Sequence, residues 1–224
     1  MKLPNPHWKI GTKIDSPVNE MVDIDPKSMR TGDLYRLMIG SIVPRPIALV
    51  STASKSGKFN LAPFSFFNGV SSKPPCLIFS VSRKPDGTKK DTQINIEETG
   101  QFVVNSSNLW MAEAVVHCGT AYPYGVSEFE EIGLTAIPSD SVQPPRVKES
   151  AVQMECELYN CIAIGNGGPG SAALMIGEIV KLHIHKPAYQ DGKIVLEEYK
   201  PFGRIGGVSY TGVERLFDLP VPEA

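Results

Sequence analysis

Short runs of apolar, strand-forming residues recur along the first half of the chain and are separated by turn residues. These runs are residues 47–50, 59–65, 77–82 and 102–105. They are rich in valine, isoleucine and phenylalanine, which strands favour. Pro44 and Pro46 must lie where the first run starts, because proline cannot donate to a central ladder. The spacing predicts a β-meander over residues 42–82, with turns at 55–58 and 72–75.

The second half of the chain carries two longer strands. Residues 151–165 alternate in part between apolar and polar side chains, and this period of two predicts a strand with one face in water. The glycine-rich segment 165–171 is a turn, and residues 172–186 return as a second strand. Two long strands joined in this way predict a hairpin.

Several stretches carry helix signals. Asp25 followed by Pro26 is typical of an N-cap and a first helical residue. A further helix from Thr31 or Asp33 is expected to end at Gly40. The other predicted helices run from Asp91 or Thr92 to Glu98 with Gly100 closing the last turn, from Asn108 as N-cap to Gly119, and from Ser127, which forms a weak capping box with Glu130.

The strands come in runs rather than alternating one by one with helices. This order favours an antiparallel barrel or sandwich with a few appended helices over a doubly wound nucleotide-binding fold. The 20 glycines and 19 prolines among 224 residues add many turns and argue against a helical bundle. Residues 1–22 are polar and contain three prolines, so they are expected to form an extended arm on the surface or on a partner subunit.

Charge and composition exclude some classes of partner. The 22 basic and 24 acidic residues give a net charge of −2, which does not favour nucleic acid or an anionic membrane surface. No apolar run approaches the roughly 20 residues of a membrane helix, and no secretion signal opens the chain, so a cytoplasmic protein is expected. The four cysteines form no CxxC pair, which predicts buried, reduced thiols rather than a zinc site.

Three segments combine residue types that could hold a ligand. The first, residues 44–65, presents Arg45 between two prolines, followed by hydroxyl and aromatic side chains. The second, residues 82–92, places cations before a predicted helix N-terminus, a combination that suits phosphate. The third, GRIGGVSYT at 203–211, has adjacent glycines that let the backbone approach a ligand. Taken singly, each segment is more typical of an ordinary strand, loop or turn than of a binding site.

Other candidates are weaker. The glycine-rich turn at 165–171 lacks the lysine and the following helix of a phosphate loop. His183 and His185 share a strand face, but no further cysteine or carboxylate has suggestive spacing, so no metal site is predicted. His117 and Cys118 at a helix C-terminus are more typical of packing and capping than of a nucleophile pair.

Taken together and in order, the candidate segments are more specific than any one of them alone. Between about residues 30 and 210 the chain contains PRPIALVST, NLAPFSFFNGVSSKPPCLIFSV, KKDTQINIEETGQFVVN and FGRIGGVSY. This ordered set resembles the flavin reductase-like family with the FMN-binding split-barrel fold, and most closely its flavoredoxin-like branch.

The resemblance implies a mainly β fold, a closed six-stranded antiparallel Greek-key split barrel with a few peripheral helices. That FMN-binding domain would occupy residues 23–212, between the arm at 1–22 and a C-terminal tail at 213–224. The resemblance further implies a homodimer with noncovalent FMN near the subunit interface, and NADH or NADPH as electron donor.

The same resemblance implies which residues contact the flavin. Along the ring or ribityl chain and at the isoalloxazine edge these are Arg45, Ser51, Thr52, Asn60, Ala62, Pro63 and Ser65. At the phosphate they are Ser82, Arg83, Lys90 and Thr92. Near the ring or a second substrate they are Gly206, Gly207 and Tyr210. Because flavin N5 carries the chemistry, no catalytic side chain is predicted.

The leading hypothesis is therefore an FMN-binding oxidoreductase, either an NAD(P)H-dependent flavin reductase or a flavoredoxin-like electron carrier that could serve a redox partner protein. A noncatalytic FMN-binding module for storage, sensing or redox partnership is the first alternative. A β-barrel interaction domain without flavin is the second.

Overall fold

The computed structural model describes residues 4–123, 125–213 and 216–219. Its strands are β1 (Arg45–Pro46), β2 (Ala48–Ala53), β3 (Phe59–Phe64), β4 (Phe67–Ser72), β5 (Pro75–Ser82), β6 (Gln101–Ser106), β7 (Ala136–Ile137), β8 (Arg146–Val147), β9 (Val152–Ile164), β10 (Ala172–Ile184), β11 (Tyr189–Gln190), β12 (Lys193–Ile194), β13 (Phe202–Arg204) and β14 (Tyr210–Gly212). Its α-helices are α1 (Thr31–Ser41), α2 (Asp91–Thr99), α3 (Ala112–His117), α4 (Glu128–Ile132) and α5 (Leu196–Tyr199). Single 3₁₀ turns span Pro26–Ser28, Leu109–Met111 and Lys186–Ala188.

The barrel is an antiparallel sheet in the order β3-β2-β6-β9-β10-β5-β4. The two end strands of this order, β3 and β4, follow each other in the chain and are separated only by a bend at Ser65 and Phe66. Residues 59–72 therefore act as one bent strand that pairs with β2 at one end and with β5 at the other. This strand closes the ring at six strands, and closure leaves no free sheet edge. The predicted six-stranded split barrel and the meander over 42–82 are confirmed.

The barrel interior is filled by aromatic and branched side chains. Phe79 is fully buried, and its ring centroid lies 5.2 Å from that of Phe64 and 5.4 Å from that of Phe102. A second apolar cluster, which includes Leu49 and Leu61, lies outside the barrel wall under α3 and α4. Strand β2 is buried along its whole length because one face meets each cluster, which explains its unbroken apolar run.

Helix α2 agrees closely with the sequence pattern, whereas α1 does not end where predicted. Gly100 closes α2 in the left-handed conformation with φ of 69°. The predicted stop at Gly40 is wrong, since α1 continues through it to Ser41. A Cβ on Gly206 would lie 3.3 Å from Gly40 Cα. The β13–β14 turn therefore packs closely against the backbone of α1, and it is Gly206 rather than Gly40 whose lack of a side chain this contact needs.

Two predicted capping residues occupy the N-cap position, but neither side chain makes the capping bond. Asn108 makes no capping bond, because its Oδ1 accepts the Ala151 N–H and its Nδ2 donates to the Tyr199 carbonyl. Helix α4 does begin after Ser127, but the Ser127 side chain makes no capping bond. In both cases the sequence pattern located the start of a helical segment correctly but not the partners of the capping residue.

The termini add little regular structure. Residues 4–22 contain no helix or strand and are exposed, while much of the tail at 213–224 lies outside the described residues. The division into arm, barrel and tail stays a prediction. Within the described ranges, no helix is both long and apolar enough to cross a membrane.

Candidate functional site

A cavity of about 530 Å³ opens beside the barrel wall, a size typical of small-molecule sites. We call it the cation-lined cavity. Its walls come from β3, from the β5–α2 loop with the start of α2, and from the segments around α3 and α4. Its lining residues are Asn60, Ala62, Pro63, Arg83, Lys84, Pro85, Asp86, Lys90, Asp91, Thr92, Cys118, Gly119, Thr120, Ala121, Tyr122 and Glu128. Six of the predicted flavin contacts are therefore brought together here.

Two of the cations in this cavity have no acidic partner among the described residues. Lys84 pairs with Asp91 at 3.1 Å. Arg83 and Lys90, by contrast, form no ion pair with any residue that the structure describes. Burial of the Lys90 ammonium, and then the charge of Lys84, lowers the pKa of Lys90. The Lys90 Nζ lies 5.7 Å from the centroid of the Phe64 ring, but a half-buried ammonium without an acidic partner is still costly, so the cavity favours an anion from outside.

The N-terminus of α2 adds backbone donors to these cations. Lys90 is its N-cap residue and makes no side-chain capping bond. The first N–H groups of a helix have no intrahelical partners, and the helix dipole favours negative charge at this end. Beside them the Thr92 hydroxyl accepts a hydrogen bond from Asn60 Nδ2 at 3.1 Å. Cations, free N–H groups and a fixed amide together match a phosphate group.

A buried carboxyl and a buried thiol complete the wall. Glu128 Oε2 accepts the Leu61 N–H at 2.8 Å, and burial raises the pKa of Glu128. Burial, and then the charge of Glu128, raises the pKa of Cys118 to about 12, so this thiol stays protonated near neutral pH. The sequence carried no signal for Glu128, because its backbone partner lies 67 residues away in the chain.

A second, smaller cavity of about 190 Å³ adjoins the first, and we call it the adjoining cavity. The two cavities share Pro63 and Gly119 as wall residues. The other lining residues of the adjoining cavity are Ile47, Ser65, Val115, Val116, Arg204 and Tyr210. Ser65 and Tyr210 are thus predicted site residues that the structure places here rather than in the cation-lined cavity.

Three predicted contacts form internal hydrogen bonds instead of lining either cavity. Arg45 is buried, and its guanidinium donates to the carbonyls of residues 39, 42 and 205. It therefore joins α1 to the β13–β14 turn. Ser51 Oγ donates to the Pro145 carbonyl at 2.5 Å, and Thr52 Oγ1 accepts from Asn95 Nδ2 at 3.0 Å. Both hydroxyls are fully buried within β2, so the structure does not bring them to a cavity.

Three further predicted contacts also lie outside the cavities. Ser82 is the exposed last residue of β5 and pairs with Ala172. Gly206 and Gly207 form the β13–β14 turn, and Gly207 has φ of 60°. Such a φ favours glycine at position 207 for turn geometry alone, and a Cβ on Gly206 would lie 3.3 Å from Gly40 Cα, so both glycines are accounted for without a ligand.

The expectation that no carboxylate accompanies His183 needs one correction. His183 Nε2 lies 2.6 Å from Glu155 Oε1, and Asp140 lies close to both, so carboxylates do accompany this histidine. Lys181 pairs with Asp140 at 2.6 Å, and Arg146 Nε lies 3.7 Å from Glu155. The two cations already compensate both carboxylates, so the cluster is an ion-pair network that ties the 138–147 segment to β9 and β10.

The fold and the site define a class: a closed split barrel with a cation-lined cavity beside its wall. The family model of the flavin reductase like domain matches residues 39–197. The chain therefore belongs to the flavin reductase-like family, and the resemblance seen in its sequence is confirmed.

Individual relatives agree with this assignment. The protein BH2278 of Halalkalibacterium halodurans is 42% identical over 200 residues, covering 89% of this chain and 96% of its own length. Nitrilotriacetate monooxygenase component B from Bacillus cereus superposes with a TM-score of 0.86 at 38% identity, covering 90% of this chain and all of its own. The Pseudomonas fluorescens 2-nitrobenzoate 2-nitroreductase NbaA gives 0.81 at 32% identity, covering 90% and 96%.

Flavoredoxin of Desulfovibrio vulgaris (Miyazaki F) shares the fold. Its TM-score is 0.67 at 22% identity, over 80% of this chain and 91% of its own length.

Proposed function

We propose that this protein is an FMN-dependent oxidoreductase of the flavin reductase type, with NADH or NADPH as the electron donor. One observation carries the proposal. Arg83 and Lys90, which have no acidic partner among the described residues, line the same cavity as the free N-terminus of α2. Family membership supports the flavin, and this cavity supports a flavin that ends in a phosphate.

The charge of the site matches a flavin that ends in a phosphate monoester, as FMN does, and the comparison with FAD below tests this choice. A phosphate monoester carries nearly two negative charges at neutral pH, which two cations and a helix N-terminus would balance. A bound flavin would supply the acceptor for hydride. The chain would bind and orient this flavin. Arg83 and Lys90 would hold the phosphate, and the side chain of Asn60 is fixed by its bond to Thr92. Pro63 lies where the two cavities meet. Reduced nicotinamides and reduced thiols are both typical of the cytoplasm, where we place the reaction.

The purified protein should take up FMN, with a shift of the visible flavin band, and should then oxidise NADH or NADPH in steady state. The measurement is flavin absorbance during titration, followed by the rate of nicotinamide oxidation with and without FMN, with FAD as the comparison ligand. Tight FMN binding without turnover would favour the noncatalytic module. A protein that ignores FMN would overturn the proposal.

We also propose that the protein is a homodimer. Large apolar side chains are exposed on α1 and along the β9–β10 hairpin, and they are Tyr35, Leu37, Met38, Ile162, Ile164 and Leu182. Exposed apolar surface of this kind is typical of an interface. Sedimentation at micromolar concentration should give twice the chain mass of 24.4 kDa, and a mass of one chain would contradict the dimer.

A further inference from the structure

The adjoining cavity combines apolar walls with a single charged side chain. Ile47, Val115 and Val116 supply branched aliphatic surface, while Ser65 and Tyr210 supply hydroxyl groups. Its charged residue is Arg204. At about 190 Å³ it is smaller than the usual range of 300–1,000 Å³ for drug-sized ligands. It therefore suits one small molecule, or one ring of a larger one.

The guanidinium of Arg204 makes few polar contacts within the described part of the protein. Its Nε is buried without a hydrogen-bond partner. Its Nη2 makes one long bond of 3.3 Å to the Gly207 carbonyl, and its Cζ lies 5.6 Å from the centroid of the Tyr210 ring. Across the part of the chain that the structure describes, no carboxylate pairs with it. A buried donor without an acceptor in a native structure calls for an explanation.

A second guanidinium, that of Arg45, adds positive charge next to Arg204. Arg45 lies opposite Arg204 in the β1–β13 register, and it too has no carboxylate partner among the residues described. Arg45 is satisfied by backbone carbonyls, which leave its positive charge uncompensated. Two guanidinium groups side by side repel each other, so an anion next to Arg204 would relieve a local excess of positive charge.

The position of the adjoining cavity connects this anion to the flavin site. Pro63 and Gly119 belong to both cavities. A molecule in the adjoining cavity would therefore abut whatever occupies the cation-lined cavity. A second substrate of an oxidoreductase needs this kind of adjacency, because it must reach the bound redox group.

We propose that the adjoining cavity is the second-substrate subsite and that it takes a small planar organic acid, such as an aromatic carboxylate. The carboxylate pairs with Arg204, whose planar fork matches two carboxylate oxygens. The apolar part of the acid lies between Val115 and Tyr210. This subsite deepens the proposed function and rests on it for the identity of the neighbouring group.

The test uses benzoate as the anionic probe and benzamide as its neutral counterpart, titrated by calorimetry into the FMN-loaded and the flavin-free protein. Arg204→Gln should weaken benzoate binding at least tenfold and leave benzamide and FMN within about twofold, while Arg204→Lys should retain part of the benzoate affinity. Arg36→Gln is the matched control, because Arg36 is an exposed arginine on α1 that pairs with Asp33. It should leave benzoate binding unchanged.

Other outcomes separate the subsite from the proposed function. No benzoate binding by the FMN-loaded wild type, or equal benzoate affinity in Arg204→Gln, overturns the subsite and leaves the flavin proposal standing. A flavin-free protein that never binds FMN but loses benzoate in Arg204→Gln overturns the flavin proposal and supports the subsite. NAD⁺ is titrated into the same variants as a further ligand. If Arg204→Gln weakens only NAD⁺ binding and leaves benzoate unaffected, Arg204 belongs to the dinucleotide and the organic acid is overturned.

Discussion

Replacing Arg83 and Lys90 together by alanine is expected to weaken FMN binding by at least about a hundredfold, while riboflavin affinity changes by less than about threefold. Each charge-assisted hydrogen bond contributes roughly 1.5–3 kcal/mol. The low end applies here because both side chains are only half-buried and solvent screens such pairs. Two bonds of about 1.5 kcal/mol correspond to a factor slightly above a hundred. Riboflavin lacks the phosphate and so lacks both bonds. Equilibrium titration of flavin fluorescence measures both affinities.

The control for this pair removes two positive charges that the cavity does not use. Lys55 is exposed in the β2–β3 turn, and Lys89 pairs with Glu97 outside the cavity. Lys55→Ala with Lys89→Ala should leave FMN affinity within about threefold at moderate salt, because Lys55 is exposed and screened by salt and the charge of Lys89 is already paired with Glu97. If the Arg83 and Lys90 double variant lost FMN and riboflavin equally, the assignment of these cations to the phosphate would be wrong.

Most strands could be predicted from the sequence, because each is a short apolar or alternating run that ends at turn residues. The period of two over 151–165 and the glycine-rich turn after it are local signals, and together they predict the β9–β10 hairpin. Helix α2 was readable because Gly100 supplies a left-handed closing residue. Strand β4 was not predicted as a separate element. Apart from Phe67 its residues are exposed, so it lacks the apolar alternation that marks a half-buried strand.

The sequence predicts the candidate site only where the site residues lie close together in the chain. Arg83, Lys90 and Thr92 belong to one loop and one helix start, so composition alone placed cations at a helix N-terminus. The flavin contact of Arg45 is implied by the family resemblance, and its position between two prolines predicts only a stiff backbone. Its acceptors are backbone carbonyls, one of them 160 residues away in the chain. Every residue carries a carbonyl, so no residue type in the sequence marks such a partner.

Adding a single methyl group at Gly177 on β10 is expected to destabilise the barrel core. Gly177 lies at a register shift of this strand, and a Cβ there would lie 2.9 Å from Phe102 Cε1 and closer still to Cζ. Phe102 is fully buried and packs edge-on against Phe79, so it has little room to move. Overpacking of a close-packed core costs about 1–3 kcal/mol and occasionally more. We expect Gly177→Ala to lower the free energy of unfolding by about 3 kcal/mol, which is a melting point lower by roughly 10 °C.

A matched glycine and a second-site change make this prediction specific. Gly69 is exposed on β4, and a Cβ there would meet nothing within 4 Å. Gly69→Ala should therefore change stability by less than about 0.5 kcal/mol. Adding Phe102→Leu to Gly177→Ala should restore part of the lost stability, because the smaller side chain vacates the space that the new methyl group needs. Such a gain is a favourable coupling energy in a double-mutant cycle. If Phe102→Leu destabilised the Gly177→Ala variant as much as the wild type, the clash with this ring would not be the cause.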